Sequence, residues 1–430
     1  MGEDNLTIGT ALRVLDSLGS RIGFAKRAGL TFKGKRDVWA ACGFPDTLGR
    51  ADYQSRYDRG GIAARVCDVY PNDTWSGDIE VCDSEDPDVE TPFEREFAAL
   101  AKRLKLWSVL KRADVLANIH RFSIVLIGAP GAPDSPLPKS LTPEQVVFLQ
   151  PLGEMTVTVE KTAIVRDTAD PRFGHPQWYS VTQIDDEGAT SPVTRVHWTR
   201  IIHVTSGLLD GVIYGKPRLE RIWNDLENLD KVTGGGSEAF WQRANRGTVF
   251  DLDASVNVTD DSKKQMKDEI DKFEHKLTRV LRTRGLKDVY ELGSDVADFK
   301  NPAEALLSLI SGATGIPQRM LLGSERGELA STTDKDSWDD RIAARRQEVA
   351  EPLILRQLVD RLIEHGVLAP AGGEYHVYWP EEEELTPDKK MEVASKMAKL
   401  NASMGETVVT GNEIRDFLGY EPLDPSEVRV

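Results

Sequence analysis

Residues 301–366 constrain the fold most, because two helical patterns there flank a polar segment. Apolar residues fill one side of 301–310, so this stretch predicts a helix, with Asn301 before Pro302 as its cap and first turn. The sequence Gly315-Ile316-Pro317 predicts its end. The segment 323–333 contains glycines, small hydroxyls and charges but no apolar pair large enough to fold it down, which predicts a mobile, solvated loop.

A long amphipathic helix is predicted after this loop. Its apolar residues recur at near-helical spacing among charged ones, and Gly366 supplies a stop. Such a helix would span roughly 40 Å. Pro352 lies inside it and predicts a kink. The apolar positions are Trp338, Ile342, Val349, Leu353, Val359 and Leu362.

This order of elements resembles the bacteriophage portal family, the ring-shaped vertex proteins through which double-stranded DNA enters and leaves the capsid. The resemblance rests on the order and spacing of four segments between about positions 50 and 425, since none is a strict signature. They are the wing-like segment 61–75, the strand-turn-helix entry Arg200-Ile201-Ile202-His203-Val204 with 211–220, the helix end at 315–323, and the C-terminal helical segment 410–420.

The resemblance implies an α+β fold with the parts of a phage portal. The long helix after the loop would be kinked, and the crown would be short and helical. The implied parts are an N-terminal arm (1–40), a wing (41–213), stem helix 1 (214–244), a clip (245–300), stem helix 2 (301–322), a tunnel loop (323–336), a long wing helix (337–366) and a C-terminal wing or short crown (367–430).

Helical and strand patterns agree with that division. Residues 93–116 read as helical, and short strands are predicted at 123–128, 146–149, 156–159, 179–184 and 201–204. Within 245–300 the pattern reads strand, helix, strand, at 248–252, 263–282 and 288–292. The wing and the clip would therefore both mix helices with strands.

The predicted stem helix over 216–244 is interrupted by three consecutive glycines. In a helix they cost roughly 3 kcal/mol against alanine, so they mark either a flexible break or a very close helix contact. The resemblance favours packing in a crowded ring. The stem-packing candidates are Trp223, Gly234, Gly235 and Gly236.

Basic residues in the clip region alternate with acidic ones, so the local charge is close to balanced. This pattern is typical of a solvated helix face. By position alone, the resemblance implies that the clip meets the packaging motor or a head-to-tail adaptor. The implied contacts are Arg279, Arg282, Arg284 and Lys287.

The tunnel loop would face the DNA in the ring that the resemblance implies, whereas the plain alternative is an ordinary surface connection. Arg326 and Lys335 are the candidate phosphate contacts, and Glu325 and Glu328 would limit the retention of DNA on the loop. The candidate channel residues are Ser324, Glu325, Arg326, Glu328, Ser331, Thr332 and Lys335.

Composition is compatible with this interpretation but would not by itself indicate it. The 430 residues, 40% hydrophobic and 29% charged, are typical of a globular protein with two or three cores. The sequence contains no apolar run of 18 residues, so no membrane span is predicted. The N-terminus lacks a signal-peptide pattern, so synthesis in a host cytoplasm is expected. Three cysteines, Cys42, Cys67 and Cys82, form no C-x-x-C pair and are expected to be buried thiols.

The net charge of −16 argues against a tight or sequence-specific nucleic-acid binder, which is usually basic. A conduit has the opposite requirement, because a strongly cationic wall would hold phosphates. Acidic charge also aids solubility, and this explains the value equally well. The charge therefore carries no weight for the conduit.

Enzyme signatures are missing from the sequence. The segment 211–216 resembles a phosphate loop superficially, but the Walker spacing is absent and Pro217 follows the lysine. No G-x-S-x-G or H-E-x-x-H occurs, the histidines are scattered, and acidic pairs are adjacent, so they diverge. We expect no catalytic residues, no cofactor and no metal site.

The function implied by the resemblance is a dodecameric ring at one capsid vertex that serves DNA packaging and ejection. Its implied partners are the terminase large subunit, a head-to-tail adaptor, the major capsid and scaffolding proteins, and double-stranded DNA bound non-specifically, with no membrane. The virion would be its final location. The alternatives are a non-portal structural adaptor of a phage head or tail, a monomeric or dimeric host-side adaptor, and an uncharacterised hydrolase.

Overall fold

The computed structural model describes most of the chain. The described residues are 37–84, 90–182, 191–244, 248–252, 259, 261, 264, 267–268, 286–291, 300–323, 331–380, 387–404 and 408–420.

In the part of the chain that the structure describes, five helices precede the first large sheet. They are α1 (Val38–Cys42), α2 (Arg50–Arg59), α3 (Gly61–Thr74), α4 (Pro92–Leu104) and α5 (Leu106–Ile119). Helix α4 begins at a capping box, in which the Thr91 hydroxyl accepts from the Glu94 N–H (3.2 Å) and the Glu94 carboxylate accepts from the Thr91 N–H (3.0 Å). Lys105 has a φ of +52°, so the helical region predicted over 93–116 is two helices.

Within the described ranges, ten strands form four antiparallel sheets. The strands are β1 (Glu80–Cys82), β2 (Ser123–Gly128), β3 (Phe148–Gly153), β4 (Val157–Val159), β5 (Trp178–Val181), β6 (Thr194–His197), β7 (Ile201–Val204), β8 (Thr248–Leu252), β9 (Leu286–Glu291) and β10 (His376–Tyr378). The sheet orders are β3-β2-β7, β4-β5-β6, β1-β10 and β8-β9. Strand β2 is central and apolar on both faces, which explains its continuous apolar run.

The other helices that the structure describes lie in the second half of the chain. They are α6 (Trp223–Ala244), α7 (Lys300–Thr314), α8 (Gln318–Leu322), α9 (Ser331–Arg345), a π-helix (Arg346–Leu355), α10 (Arg356–Glu364), α11 (Pro387–Met404) and α12 (Gly411–Phe417). Helix α6 packs along α7, and β8 pairs with β9 between them in the sequence.

Three apolar cores hold these elements. The first lies among α4, α5, β2 and α10, and the third lies between the two three-stranded sheets. The second core joins α3 to α6, α7, α8 and α9 through Val66, Leu226, Ile310, Leu321 and Trp338. This second core holds the segments on both sides of residues 324–330 against α3.

Several sequence predictions are confirmed and others need correction. Strands at 123–128, 156–159 and 201–204 and the helix over 301–310 are confirmed. The strand predicted at 146–149 begins at Phe148, and β6 was not predicted. Asn301 lies inside α7, which already includes Lys300, so it is not the cap.

The predicted start of the first long helix is wrong, and one of the two alternatives for its glycine run is excluded. It begins at Trp223 and not at 216, because residues 218–222 form turns after Pro217. The glycine run does not break it, since α6 continues from Trp223 to Ala244. Buried Leu226 and Leu229 fix one face of this helix, so apolar packing offsets the glycine cost.

Pro352 lies in the middle of the ten-residue π-helix, where the sequence predicted a kink. The N–H of Arg356 donates to the carbonyl of Glu351, five residues earlier. Because proline lacks an N–H and its ring crowds the carbonyl four residues before it, wider turns accommodate it within a continuous helix.

Three further findings concern the cysteines, membrane-spanning helices and metal ligands. Cys67 is buried but Cys42 is exposed, so the prediction of buried thiols is wrong for Cys42. Among the described residues, no helix is long and apolar enough to cross a membrane. In the same part of the chain, no three histidine, cysteine or acidic side chains group as metal ligands.

Candidate functional site

The turn at the end of α7 combines a left-handed glycine, a buried isoleucine and a short-range hydrogen bond. Gly315 has a φ of +71°, a conformation that favours glycine, and the Arg341 guanidinium lies where a Cβ would be. Ile316 is fully buried, and its carbonyl accepts a hydrogen bond from the Ser311 hydroxyl (2.7 Å). The sequence Gly-Ile-Pro therefore turns the chain sharply into α8.

Helix α3 holds the segment that leads to residue 323. The Arg65 Nε donates to the carbonyl of Met320 (2.8 Å), and the Tyr70 hydroxyl donates to that of Thr314 (3.4 Å). Gly323 ends α8 with a φ of +65°, and its N–H donates to the backbone carbonyl of Arg319 (2.8 Å). The chain thus reaches residue 324 from a fixed point.

Helix α3 also holds the segment that follows residue 330. In α9, the Trp338 Nε1 donates to the Asp73 carboxylate (2.8 Å), and the Trp338 ring lies 4.6 Å from the ring of Tyr70. Arg341 donates to the carbonyl of Gly315 (3.1 Å), which joins the two sides directly. Burial raises the pKa of Asp73, and the hydrogen bond from Trp338 opposes that shift.

A buried ion pair fixes the end of α9. Arg345 lies 2.6 Å from the Asp114 carboxylate of α5 and also donates to the Thr74 hydroxyl (2.7 Å). Both side chains are almost fully buried, at 8% and 2% exposure, and the Trp75 Nε1 donates to the same carboxylate (2.9 Å). The carboxylate is thus held by one cation and one neutral donor.

Arg346, the next residue, caps the C-terminal end of α3. Its guanidinium donates to the carbonyls of Thr74 (3.2 Å), Asp73 (3.1 Å) and Pro380 (3.3 Å). A cation at a helix C-terminus interacts favourably with the free carbonyls and the helix dipole. Arg65 on one side and Trp338 and Arg346 on the other make α3 the common support of both sides of residues 324–330.

The structure brings together only part of the predicted site. Ser331, Thr332 and Lys335 lie in α9, so the predicted loop boundary at 336 is wrong and helix is described from Ser331. Serine, threonine and aspartate are common where helices start, so the run 331–334 carried a signal for that start. The loop residues Ser324, Glu325, Arg326 and Glu328 lie outside the described residues.

The clip candidates are also largely outside the described residues. Arg279, Arg282 and Arg284 lie there, whereas Lys287 is on β9, which pairs with β8. Their proposed contacts with partners stay predictions.

The stem candidates all lie on α6. Trp223 packs within the chain, with its ring 5.8 Å from that of Tyr53 in α2. Gly234 and Gly235 are exposed, and a Cβ at either position would meet no atom within 4 Å. Gly236 is partly buried. Any close contact at Gly234 and Gly235 would therefore come from outside the described chain.

Sequence reasoning missed the anchoring residues. Asp114 is an acid next to Ala113 on the buried side of α5, and Arg345 and Arg346 interrupt the apolar spacing of the long helix. A charge placed at a position that the helical period assigns to the core is a sequence signal for a buried ion pair. The partner of each charge, more than 200 residues away, carries no local signal.

Comparisons with known proteins identify the class of this fold. A family model described as phage portal protein matches residues 51–402, which is most of the chain. The chain therefore belongs to the phage portal protein family. The predicted resemblance is confirmed, and the mixed helices and strands fit an α+β portal fold. Portal proteins are structural, and no catalytic family is indicated.

Solved structures give the same picture at the level of the fold. The chain is similar to one in the virion of a native gene transfer agent particle, with a TM-score of 0.54 and 14% identity, covering 88% of this chain and 95% of that one. It is also similar to one in the neck of the native particle, with a TM-score of 0.52 and 15% identity, covering 88% and 96%. No curated protein matches the sequence.

Proposed function

We propose that twelve copies of this chain form a closed ring at one capsid vertex, and that double-stranded DNA passes along its axis during packaging and ejection. The observation that carries the proposal is the family match over residues 51–402. The similar neck structure was computed with C12 symmetry, which supports the same number of copies here. A cyclic ring closes through one heterologous contact repeated at every subunit.

In this ring, residues 324–330 are the tunnel loop. Support comes from the anchoring of both flanks on α3, through Met320 on one side and Trp338 on the other. Arg326 would contact phosphates, and Glu325 and Glu328 would shorten each contact. Lys335, being helical, would act from the base of the loop.

The clip, residues 245–300, would dock the terminase large subunit during packaging and a head-to-tail adaptor afterwards. Major capsid and scaffolding proteins would surround the wing. The ring would assemble in the host cytoplasm and remain in the virion. Membership of the portal family supports this proposal, and Lys287 on β9 is its one candidate contact among the described residues.

The experiment that tests the channel role replaces residues 324–330 with a glycine–serine segment of the same length. We expect the variant to form rings like the unaltered chain, because neither flank changes, but to yield particles with less packaged or retained DNA. The matched control replaces residues 184–190, in the proposed wing, in the same way. Normal DNA content in the loop variant would contradict the channel role, and loss of rings would contradict the separation of ring formation from the loop.

A further inference from the structure

A basic groove of about 580 Å³ lies where the segment before α6 meets the end of α7 and the long helix. Its volume falls within the range of about 300–1,000 Å³ found for ligand clefts. We call it the arginine groove. Its charged lining residues are Lys216, Arg218, Arg221, Arg341, Arg345 and Glu348.

Three of the five cations have no ionic partner among the described residues. Arg345 is neutralised by Asp114 and Lys216 pairs with Glu220 (3.1 Å), whereas Arg218, Arg221 and Arg341 make no salt bridge there. This local excess of positive charge is unusual for a chain with a net charge of −16.

Arg218 is the most enclosed of the three. Its Nε donates to the Asn118 side chain (3.0 Å), and its guanidinium carbon lies 4.1 Å from the centre of the Tyr70 ring. Burial lowers its pKa, and the charge of Arg345 lowers it further. The groove therefore concentrates like charges in a partly desolvated place, where an anion from outside would be strongly favoured.

The rim of the groove identifies the kind of anion. Leu208 and Leu353 line it and are 39% and 40% exposed. A protein surface can cover such side chains while its carboxylates meet the guanidinium groups, and protein interfaces are enriched in arginine beside apolar residues. A DNA backbone would leave the two leucines exposed.

We infer that the arginine groove receives carboxylate side chains from a second copy of this chain. Each copy carries 70 acidic residues against 54 basic ones, so it has carboxylates to offer. The inference rests on the proposed ring, and it makes the groove one half of the repeated contact between neighbouring subunits. Arginine–carboxylate pairs of this kind fix the orientation of two surfaces as well as their affinity.

The first test reverses one charge in the groove. Arg221 is exposed and makes no described hydrogen bond, so Arg221→Glu should leave the fold intact, as a circular dichroism melt would check. We expect the protein concentration at which half of the rings dissociate to rise by at least about tenfold. The matched control is Arg112→Glu, an exposed arginine on α5 without a described ion pair, with the same change in charge.

The outcomes of this test are distinct. Equal dissociation of the two variants would overturn the inference and leave the proposed ring standing. Absence of rings in the unaltered chain would remove the proposed function itself. If Arg221→Glu left rings intact but abolished their binding to a short DNA duplex, the groove would be a phosphate site, and the inference would be wrong.

A second test uses Lys216 as a reporter, since its amine lines the groove. Carbodiimide joins an amine to a carboxylate in direct contact, and rings mixed from isotopically light and heavy copies separate cross-links between copies from those within one. We expect a light–heavy product that joins Lys216 to an acidic residue. Finding only the Lys216–Glu220 product within one copy would count against the inference.

Discussion

The buried pair between Arg345 and Asp114 should be the most sensitive support of the long helix. Replacing Arg345 by methionine keeps much of its volume but leaves the Asp114 carboxylate, 2% exposed, with the Trp75 Nε1 as its remaining side-chain donor. Breaking one half of a buried ion pair typically costs about 3–5 kcal/mol, because the remaining charge is buried without compensation. We expect Arg345→Met to fall in that range.

Hydrogen exchange of peptides from α9 measures this cost locally, which suits a chain of several cores better than a single unfolding transition. A loss of about 3–5 kcal/mol corresponds to exchange through local opening that is roughly 10²- to 10⁴-fold faster. The control is Arg195→Met, which breaks the pair with Glu160, where the arginine side chain is 49% exposed. An exposed pair contributes about 0–1 kcal/mol, so this variant should change little.

A second variant separates charge from packing. In Asp114→Asn with Arg345→Met the buried charge is removed, while the amide oxygen can still accept from Trp75. We expect the double variant to recover at least half of the loss. Equal exchange in Arg345→Met and Arg195→Met, or a double variant worse than the single one, would refute the assigned role of this pair.

Three further predictions concern other parts of the molecule. Desolvation lowers the pKa of His203 to about 4, so the folded state disfavours the charged ring. Stability should therefore be constant above about pH 6.5 and fall by about 3 kcal/mol as the pH drops to 4. His203→Gln should flatten this part of the pH profile of the urea midpoint. Gly315→Ala should lower stability by about 1–2 kcal/mol, because the φ of Gly315 is positive and the Arg341 side chain lies where the new Cβ would be. Gly312→Ala, in open space within α7, should instead stabilise the protein by about 0.5–1 kcal/mol. Thermal melts of both variants decide this. Gly234→Ala with Gly235→Ala should stabilise α6 in the isolated chain but weaken rings if the glycines pack against a neighbour, and unchanged ring dissociation would refute that packing role.

The sequence predicted those elements whose signals are local. The apolar run of β2 and the helix over 301–310 with its Gly-Ile-Pro end depend on nearby residues, and both are found. The turn at Lys105 depends on a positive φ at a lysine, which no propensity favours. The π-helix follows from Pro352, but its ten-residue length depends on packing against other elements.

The candidate site was less accessible from sequence than the fold. The order of helix, loop and helix placed the segment 323–336 between two helices, and the resemblance supplied the role. The supports of that loop are contacts between residues far apart in the chain, such as Arg65 with Met320 and Trp338 with Asp73. Such pairings emerge only when the second core assembles, so a single sequence cannot specify them.

Negative-stain electron microscopy of the purified chain tests the central claim most directly. The proposed ring predicts closed particles with an axial hole and twelve subunits, and a particle mass of about 574 kDa, twelve times the 47.8 kDa chain. Uniform particles of about 48 kDa at every protein concentration tested, without rings, would contradict it.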